Sequence, residues 1–435
     1  MLRKLTQKNG KDLGIAELIA IALGGMVGGG IFSILGVSVE LVGNATPIAI
    51  LIGGILAYMA AFSYVKLAGL YKDEGATYSF FKKTFPSSKF ASSIIGWLIV
   101  FGYISTLALY AYTFSSYLCS ILPYKGDWVN KIVAAAVLTL FAFINIISVK
   151  GMGKLEDVLV YTKIIILLFM SGLLAGKGDI NNMSPIIEEH TTFTTIIIVS
   201  SITFVAFEGF QLVIHAYNEM SNPTRNIPRS IYSAIVIATL LYIAIAAGAL
   251  STIPKQLIIS DKEYALASGS ADILGDFGLA IVIFGALLAT SSAINGTIFG
   301  ASRLMAVIAS DGYFPSAMSH RIKTHIPYKA IITITICSFL LILSGGLETI
   351  LEFGSITFII VSFLMAFANF LKRRETNTNV LYAILVMSGL FTGGSLILYY
   401  EYTYQPQQLI FICALYLLLT ICSLVYARMS KIRAN

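Results

Sequence analysis

The feature that most constrains this chain is a series of apolar runs, each close to the thickness of a bilayer in length. A helix of about 20 apolar residues crosses the hydrocarbon core, and runs this long favour helices that satisfy their own backbone hydrogen bonds in lipid. The sequence therefore predicts an all-α membrane protein with twelve transmembrane helices. The runs lie near Ile15–Leu41, Pro47–Val65, Ala91–Leu122, Ile132–Val149, Val158–Ala175, Thr192–Tyr217, Ile231–Ile253, Phe277–Ser302, Ala330–Leu343, Phe353–Leu371, Val380–Tyr400 and Leu409–Ala427.

Composition agrees with a lipid bilayer as the surroundings of nearly the whole chain. Of 435 residues, 57% are hydrophobic and only 12% are charged, whereas soluble domains carry about a quarter charged residues. No polar stretch is long enough to form a separate domain, so we expect one membrane domain over residues 1–435. The net charge of +7 lies in short loops, which argues against a nucleic acid partner.

The distribution of basic residues predicts the orientation. If the N-terminus is cytoplasmic, 23 of the 29 Lys and Arg residues fall in the two terminal tails and the loops on that side. Five fall on the opposite side, and Lys163 lies within a span. Because cytoplasmic loops are enriched in Lys and Arg, we expect a multi-pass protein of the plasma membrane with both termini in the cytoplasm.

The first span contains an unusual glycine cluster. Five of the nine residues from Gly24 to Phe32 are glycine, and each costs a helix about 1 kcal/mol relative to alanine. An unwound stretch at bilayer depth has to line a cavity or protein, so a ligand-binding break is the preferred interpretation. Close GxxxG packing and a plain hinge remain alternatives. A dinucleotide fingerprint would need a preceding strand.

The sixth span contains Glu208 and Gly209 about ten residues before its cytoplasmic end, which is roughly mid-bilayer at 1.5 Å per residue. An intramembrane carboxyl group indicates function; a protonated Glu bonded between helices is the alternative. Two broken helices five spans apart favour a transporter with an inverted repeat and a midplane site. The repeats would be 15–175 and 191–371, followed by two extra helices at 378–428.

Two such breaks would suit an amino acid. The positive N-terminal end of a half-helix favours a carboxylate, and free carbonyl groups favour an ammonium group. Lys163 lies about seven residues inside the fifth span, roughly 10 Å deep. It either snorkels to the interface or is a buried amine that exchanges a proton or fills a cation site. Ser291 and Ser292 would supply hydroxyl groups to that site, unless they only bond back to their helix.

Four segments resemble the amino acid–polyamine–organocation (APC) superfamily of permeases, most closely the proton-coupled prokaryotic amino acid transporters with a lysine in the fifth helix. The resemblance implies the leucine-transporter fold, with a five-plus-five inverted repeat and two extra helices, and alternating access. The segments are Met26–Phe32, Ala206–Gln211, Asn218–Ile231 and Ser302–Pro315.

The resemblance also implies residue roles. The N–H groups of Gly28, Gly29 and Gly30 would bind the substrate carboxylate. The substrate amine would contact the carbonyl groups of Met26, Val205, Ala206 and Glu208. Lys163 would occupy the sodium-like site, with Ser291 and Ser292 opposite.

Two positions depart from the family pattern. The family's gate aromatic would fall at Val205, so Phe204 or Phe207 serves as the gate, or the gate differs. Glu208 stands where many relatives carry an apolar or small polar residue. It would either select a cationic side chain or join Lys163 in proton handling.

These features predict a secondary active transporter of amino acids, coupled to protons by symport. One alternative is a proton-independent exchanger of cationic amino acids or polyamines, and another is a non-transporting amino acid sensor, which would typically carry a sizeable soluble domain. We expect no enzyme activity, no cofactor and no metal, because the sequence has no GxSxG motif and no metal-ligand spacing. The sequence leaves the oligomeric state open.

Overall fold

A computed structural model describes residues 13–123, 126–147, 152–189, 191–262, 264–322 and 326–432, and within them the side chains outside 152–158, 272–274 and 431–432. These residues form helices and no β-strand. The helices are α1 (Ile15–Met26), α2 (Gly30–Val42), α3 (Thr46–Tyr71), α4 (Ala76–Thr84), α5 (Lys89–Ile121), α6 (Asp127–Ile147), α7 (Met152–Lys177), α8 (Phe193–Ile202), α9 (Pro223–Thr252), α10 (Lys255–Ser260), α11 (Ala265–Ser310), α12 (Tyr328–Ser344), α13 (Leu347–Leu371), α14 (Val380–Tyr404) and α15 (Pro406–Ile432).

Ten apolar helical segments in the described part of the chain are long enough to cross a membrane. The first, Gly30–Tyr71, joins α2 and α3 through the short turn Gly43–Ala45. Two shorter apolar helices, α1 and α12, accompany them. The predicted all-α membrane architecture is confirmed, and the count of twelve spans stays a prediction.

Local sequence sets several helix ends. The side chain of Ser88 accepts a hydrogen bond from the Ala91 N–H at the start of α5, as N-cap serines do. Thr192 and Thr195 form a reciprocal capping box before α8. Pro223 stands in the first turn of α9, where its missing N–H removes no helical bond.

Burial separates the helices into a centre and a rim. The most apolar part of α5 is 89% buried inside the protein, whereas that of α15 is only 17% buried. The helix α5 packs against α11 and α13, and α9 packs against α1, α3 and α7. The exposed apolar side chains of α6, α14 and α15 form a surface that suits lipid. The central helices position the site.

Candidate functional site

The first break lies within the predicted glycine cluster but is shorter than the cluster. Helix α1 continues through Gly24 and Gly25 to Met26, and α2 begins at Gly30. Only Val27, Gly28 and Gly29 lie between the two helices. The Gly28 N–H donates to the Met26 carbonyl group at 3.0 Å. Gly30 opens α2, where the first N–H groups have no partner within the helix.

The second break lies in the sixth apolar run. After α8 the backbone tightens into a 3-10 helix, Thr203–Phe207, and it is extended at Glu208. Gly209 has a φ of +117°, a conformation that only glycine adopts without strain. A second 3-10 helix, Phe210–Glu219, follows. We predicted a break at Glu208 and Gly209, but not the 3-10 geometry on both sides of it.

The two breaks are in direct contact. A Cβ atom added to Gly30 would lie 2.9 Å from the Ala206 Cβ atom. One added to Gly209 would lie 2.5 Å from the carbonyl carbon of Gly25. Glycine is therefore needed where one backbone crosses the other.

Two tyrosines contact carbonyl groups of the breaks through their hydroxyl groups. Neither was among the predicted site residues. The Tyr242 hydroxyl on α9 is within hydrogen-bonding distance of the Met26 carbonyl oxygen, at 2.8 Å, and of the Ala206 carbonyl oxygen, at 3.0 Å. The Tyr110 hydroxyl on α5 donates to the Gly25 carbonyl oxygen at 3.0 Å. Two of the carbonyl groups predicted to receive the substrate amine thus already contact Tyr242, and the Met26 oxygen also accepts from the Gly28 N–H.

Lys163 lies at the first break. Its side chain is fully buried, and its Nζ donates to the Gly24 carbonyl oxygen at 3.2 Å. A snorkelling lysine would instead reach the surface. On α11, which packs against α7 and α1, Ser292 is buried with no hydrogen-bond partner for its hydroxyl group, and Ser291 is half-buried.

Glu208 is 2% exposed, and one of its two carboxyl oxygens accepts a hydrogen bond. Its Oε2 accepts from the Gln211 side-chain amide at 2.8 Å, and that amide also lies 3.3 Å from the Tyr103 hydroxyl. The Gln211 Oε1 accepts from the Gly209 N–H at 3.2 Å. The Oε1 of Glu208 has no partner. Gln211 therefore ties the carboxyl group to the break.

A small cavity adjoins the second break. Helices α5 and α11 and the two breaks line it, through Gly25, Tyr103, Thr106, Tyr110, Glu208, Gly209, Leu212, Gly296, Thr297, Gly300 and Ala301. Of the predicted substrate-binding residues, Glu208 lines this cavity. The others are buried and do not line it: Met26, Gly28, Gly29, Gly30, Val205, Ala206 and Phe207.

The predicted gate residues also pack away from the cavity. The Phe207 ring lies 5.4 Å from the Tyr242 ring, measured between centroids, and Phe204 is fully buried. A methyl group of Val205 would lie 3.1 Å from a Cβ atom added to Gly354 on α13. Tyr103 and Tyr110 are the aromatic residues that line the cavity.

The two contacting breaks, buried within a helical membrane protein, define the class of secondary transporters with discontinuous helices. The family described as "Amino acid permease" matches residues 13–427. The chain belongs to this family, within the APC superfamily.

Named relatives and a solved structure are similar to this chain. The inner membrane transport protein YbaT of Escherichia coli is 28% identical over 80% of this chain and 81% of its own length. The branched-chain amino acid permease BcaP of Bacillus subtilis is 25% identical over 73% of this chain and 70% of its own. A manganese transporter of Eremococcus coleocola superposes with a TM-score of 0.63 and 11% identity, covering 96% of this chain and 94% of its own. That likeness shows the fold alone and confirms the predicted leucine-transporter fold.

Proposed function

We propose that this amino acid permease is a proton-coupled symporter in which Lys163 carries the coupling proton. The observation that supports this most is the fully buried Lys163 side chain, which donates to the Gly24 carbonyl oxygen. A charged donor makes a stronger hydrogen bond than a neutral one. Loss of the proton would therefore weaken the contact between α7 and the end of α1, which links the charge of Lys163 to the geometry of the first break.

In this proposal the substrate binds between the breaks. The N–H groups of Gly28, Gly29 and Gly30 would receive its carboxylate at the start of α2. Its amine would meet the carbonyl groups of Met26, Val205, Ala206 and Glu208, beside Phe207. Because Tyr242 already contacts two of these oxygens, it would share them with the amine or move aside. Ser291 and Ser292 would complete the site around Lys163.

The proposal extends to the moving parts and the orientation. Residues 15–175 and 191–371 would form two repeats that alternate between the two sides of the plasma membrane, with 378–428 outside the repeats and both termini in the cytoplasm. The relatives support an amino acid substrate, because one is named a branched-chain amino acid permease.

The coupling is tested with Lys163→Ala in proteoliposomes, by measuring uptake of radiolabelled amino acids with and without an imposed pH gradient. We expect uptake by the variant to be insensitive to the gradient, because its amine is gone. The matched control is Lys177→Ala, which removes an exposed amine at the end of the same helix and should keep the pH response. A Lys163→Ala variant that still follows the gradient would show that coupling resides elsewhere.

A second candidate is a proton-independent exchanger of cationic amino acids or polyamines. The partnerless Oε1 of Glu208 beside the cavity favours it, because a carboxylate would pair with a cationic side chain. Uptake that requires internal substrate, ignores pH and is competed by lysine better than by leucine would establish the exchanger. Uptake driven by a pH gradient into empty proteoliposomes would exclude it.

A further inference from the structure

A large cavity lies outside the two breaks, where α3 ends, α9 begins and the loop between α13 and α14 passes. Its volume is about 610 Å³, and Lys66 and Lys72 are among the residues that line it, so we call it the basic cavity. The apolar residues of α3 give way to charge at Lys66, and those of α13 give way to charge at Lys372. Because Lys and Arg concentrate beside the ends of transmembrane helices, the basic cavity lies at the boundary between membrane and water.

The two lysines of the basic cavity have hydrogen-bond donors to spare. Lys66 is half-buried, and its Nζ donates to the carbonyl oxygens of Thr376 at 3.1 Å and Asn377 at 3.4 Å. An ammonium group has three donor hydrogens, so one of them is left over. The Lys72 side chain is exposed and has no hydrogen-bond or ion-pair partner among the residues that the structure describes. Both lysines are therefore able to bind a further acceptor.

The charge of the basic cavity is positive overall. Glu375 is the acidic residue among those that line it, and its Oε1 already accepts from the Lys372 Nζ at 2.8 Å. Arg225 and Arg229 are exposed in the first turns of α9, beside residues that line the cavity. The ligand that complements this charge is an anion.

Aromatic side chains extend from the basic cavity toward the apolar part of the helices. The Lys66 Nζ lies over the Phe62 ring, 5.4 Å from its centroid. Phe62 and Tyr382 on α14 pack edge to face, with centroids 4.5 Å apart. One turn further along α3, Tyr58 is 40% exposed and stacks on Tyr232 of α9, with centroids 4.4 Å apart. Because tyrosine is enriched at membrane–water interfaces, this aromatic strip leads from the lysines toward the acyl chains of the bilayer.

The combination matches a phospholipid with a net negative charge, which joins an anionic phosphate group to apolar acyl chains. Basic pockets between transmembrane helices suit such headgroups. We propose that the basic cavity binds an anionic phospholipid, with the phosphate between Lys66 and Lys72 and the acyl chains along the aromatic strip. A free phosphate ion would leave the strip unused, and the lysines would repel the ammonium group of a zwitterionic lipid.

A lipid in this position would contact the protein close to the second break. Tyr217, near the end of the 3-10 helix that follows that break, also lines the basic cavity. One lipid would thus touch α3, α9, the loop after α13 and this 3-10 helix. Because a ligand that binds only the folded protein stabilises it, the lipid should raise the thermal unfolding midpoint.

The proposal is tested by titrating lipid into the detergent-purified full-length protein and measuring the unfolding midpoint. We expect phosphatidylglycerol to raise the midpoint, and phosphatidylcholine or inorganic phosphate to raise it much less. In Lys66→Gln/Lys72→Gln the same rise should need roughly tenfold more phosphatidylglycerol, because each basic residue near the headgroup contributes to binding. The matched control is Lys329→Gln/Arg428→Gln. It removes two charges at the same end of the bundle, from the start of α12 and the last turns of α15, and should respond like the unmodified protein.

Three results would overturn the proposal. A Lys66→Gln/Lys72→Gln variant with the full response would show that the lysines do not bind the lipid. An equal rise with phosphatidylcholine would show that the site does not select charge. An equal rise with inorganic phosphate would show a simple anion site that makes no use of the acyl chains.

A second pair of variants applies if the lysine variant does not fold. Thr224 is exposed in the first turn of α9 and lines the basic cavity. A glutamate stabilises the first turn of a helix, so Thr224→Glu should fold, while its negative charge repels the phosphate. We expect Thr224→Glu to lose the response to phosphatidylglycerol and Thr224→Gln to keep it. A Thr224→Glu variant with the full response would contradict the lipid site.

Discussion

The backbone groups of the two breaks find their hydrogen-bond partners in different ways. At the first break, the carbonyl groups of Gly24, Gly25 and Met26 accept from side chains of three other helices: Lys163 on α7, Tyr110 on α5 and Tyr242 on α9. At the second break, the Gly209 N–H bonds to Gln211, two residues further along the chain. The Glu208 N–H donates to the Val205 carbonyl oxygen at 3.2 Å.

This difference indicates that the two breaks depend on different parts of the protein. The first break depends on distant helices, so movement of α5, α7 or α9 alters its free backbone groups. At the second break, the N–H groups of Glu208 and Gly209 bond to residues of the break itself. Its carbonyl groups have outside donors too, because Tyr242 reaches Ala206 and the Ser355 hydroxyl on α13 donates to the Ile202 carbonyl oxygen. The first break is therefore the better candidate for the element that would respond to the coupling proton proposed for Lys163.

The largest effect should come from Gly209→Ala, at the crossing of the two breaks. Alanine is strained at a φ of +117°, and its Cβ would lie 2.5 Å from the Gly25 carbonyl carbon, where only backbone could yield. Strain and overpacking together should cost about 3 kcal/mol of stability. The thermal unfolding midpoint of the detergent-solubilised protein measures the loss.

Two controls sharpen this expectation. Gly69→Ala on α3 adds a Cβ with no atom within 4 Å and should leave the midpoint unchanged or raise it slightly, because alanine favours the helix. Gly29→Ala at the first break meets the Thr113 hydroxyl at 2.9 Å, without strain in φ, and should cost less than Gly209→Ala. If Gly29→Ala costs more, the second break is not the more rigid of the two.

Tyr242→Phe should have an intermediate effect and act on both breaks at once. Phenylalanine keeps the ring packed against Phe207 but removes the hydroxyl group from the Met26 and Ala206 carbonyl oxygens. The Met26 oxygen keeps its bond from the Gly28 N–H, but the loss of the hydroxyl group beside two buried carbonyl oxygens should still cost about 2 kcal/mol. We expect a lower unfolding midpoint and slower uptake in proteoliposomes. An unchanged midpoint would mean that the two carbonyl groups do not depend on Tyr242.

Much of the architecture was predictable because it follows from the average hydrophobicity of long segments. Apolar runs long enough to span a bilayer become helices whatever their neighbours are. The glycine cluster marked the first break, yet α1 continues through Gly24 and Gly25. Close packing of Gly25 on Gly209 outweighs the weak helix propensity of glycine. Propensity thus located the break to within a few residues but did not set its ends.

The partners of the breaks were not predictable in the same way. Tyr242 and Tyr110 resemble ordinary core aromatics in the sequence, and only the fold shows which carbonyl groups their hydroxyl groups reach. That a buried tyrosine hydroxyl needs a partner could have flagged them. The ends of α13 and α14 were missed for another reason. The apolar runs were predicted to begin at Phe353 and to end at Tyr400, whereas α13 begins at Leu347 and α14 ends at Tyr404, so the two helices include the buried Glu352 and Glu401.

Tyr110→Phe should have the smallest effect. It compares a tyrosine that bonds to the first break with Tyr242, which contacts both breaks. Like Tyr242→Phe, this change removes a hydroxyl group from the first break. The Tyr110 hydroxyl group donates to the Gly25 carbonyl oxygen and does not bond to the second break among the described residues. Tyr110 and Gly25 both line the small cavity. A water molecule entering that cavity could replace the lost donor, so the cost should be about 1 kcal/mol. Paired unfolding midpoints of the two variants make the comparison. A Tyr110→Phe loss as large as that of Tyr242→Phe would show that bonding to both breaks gives Tyr242 no special weight.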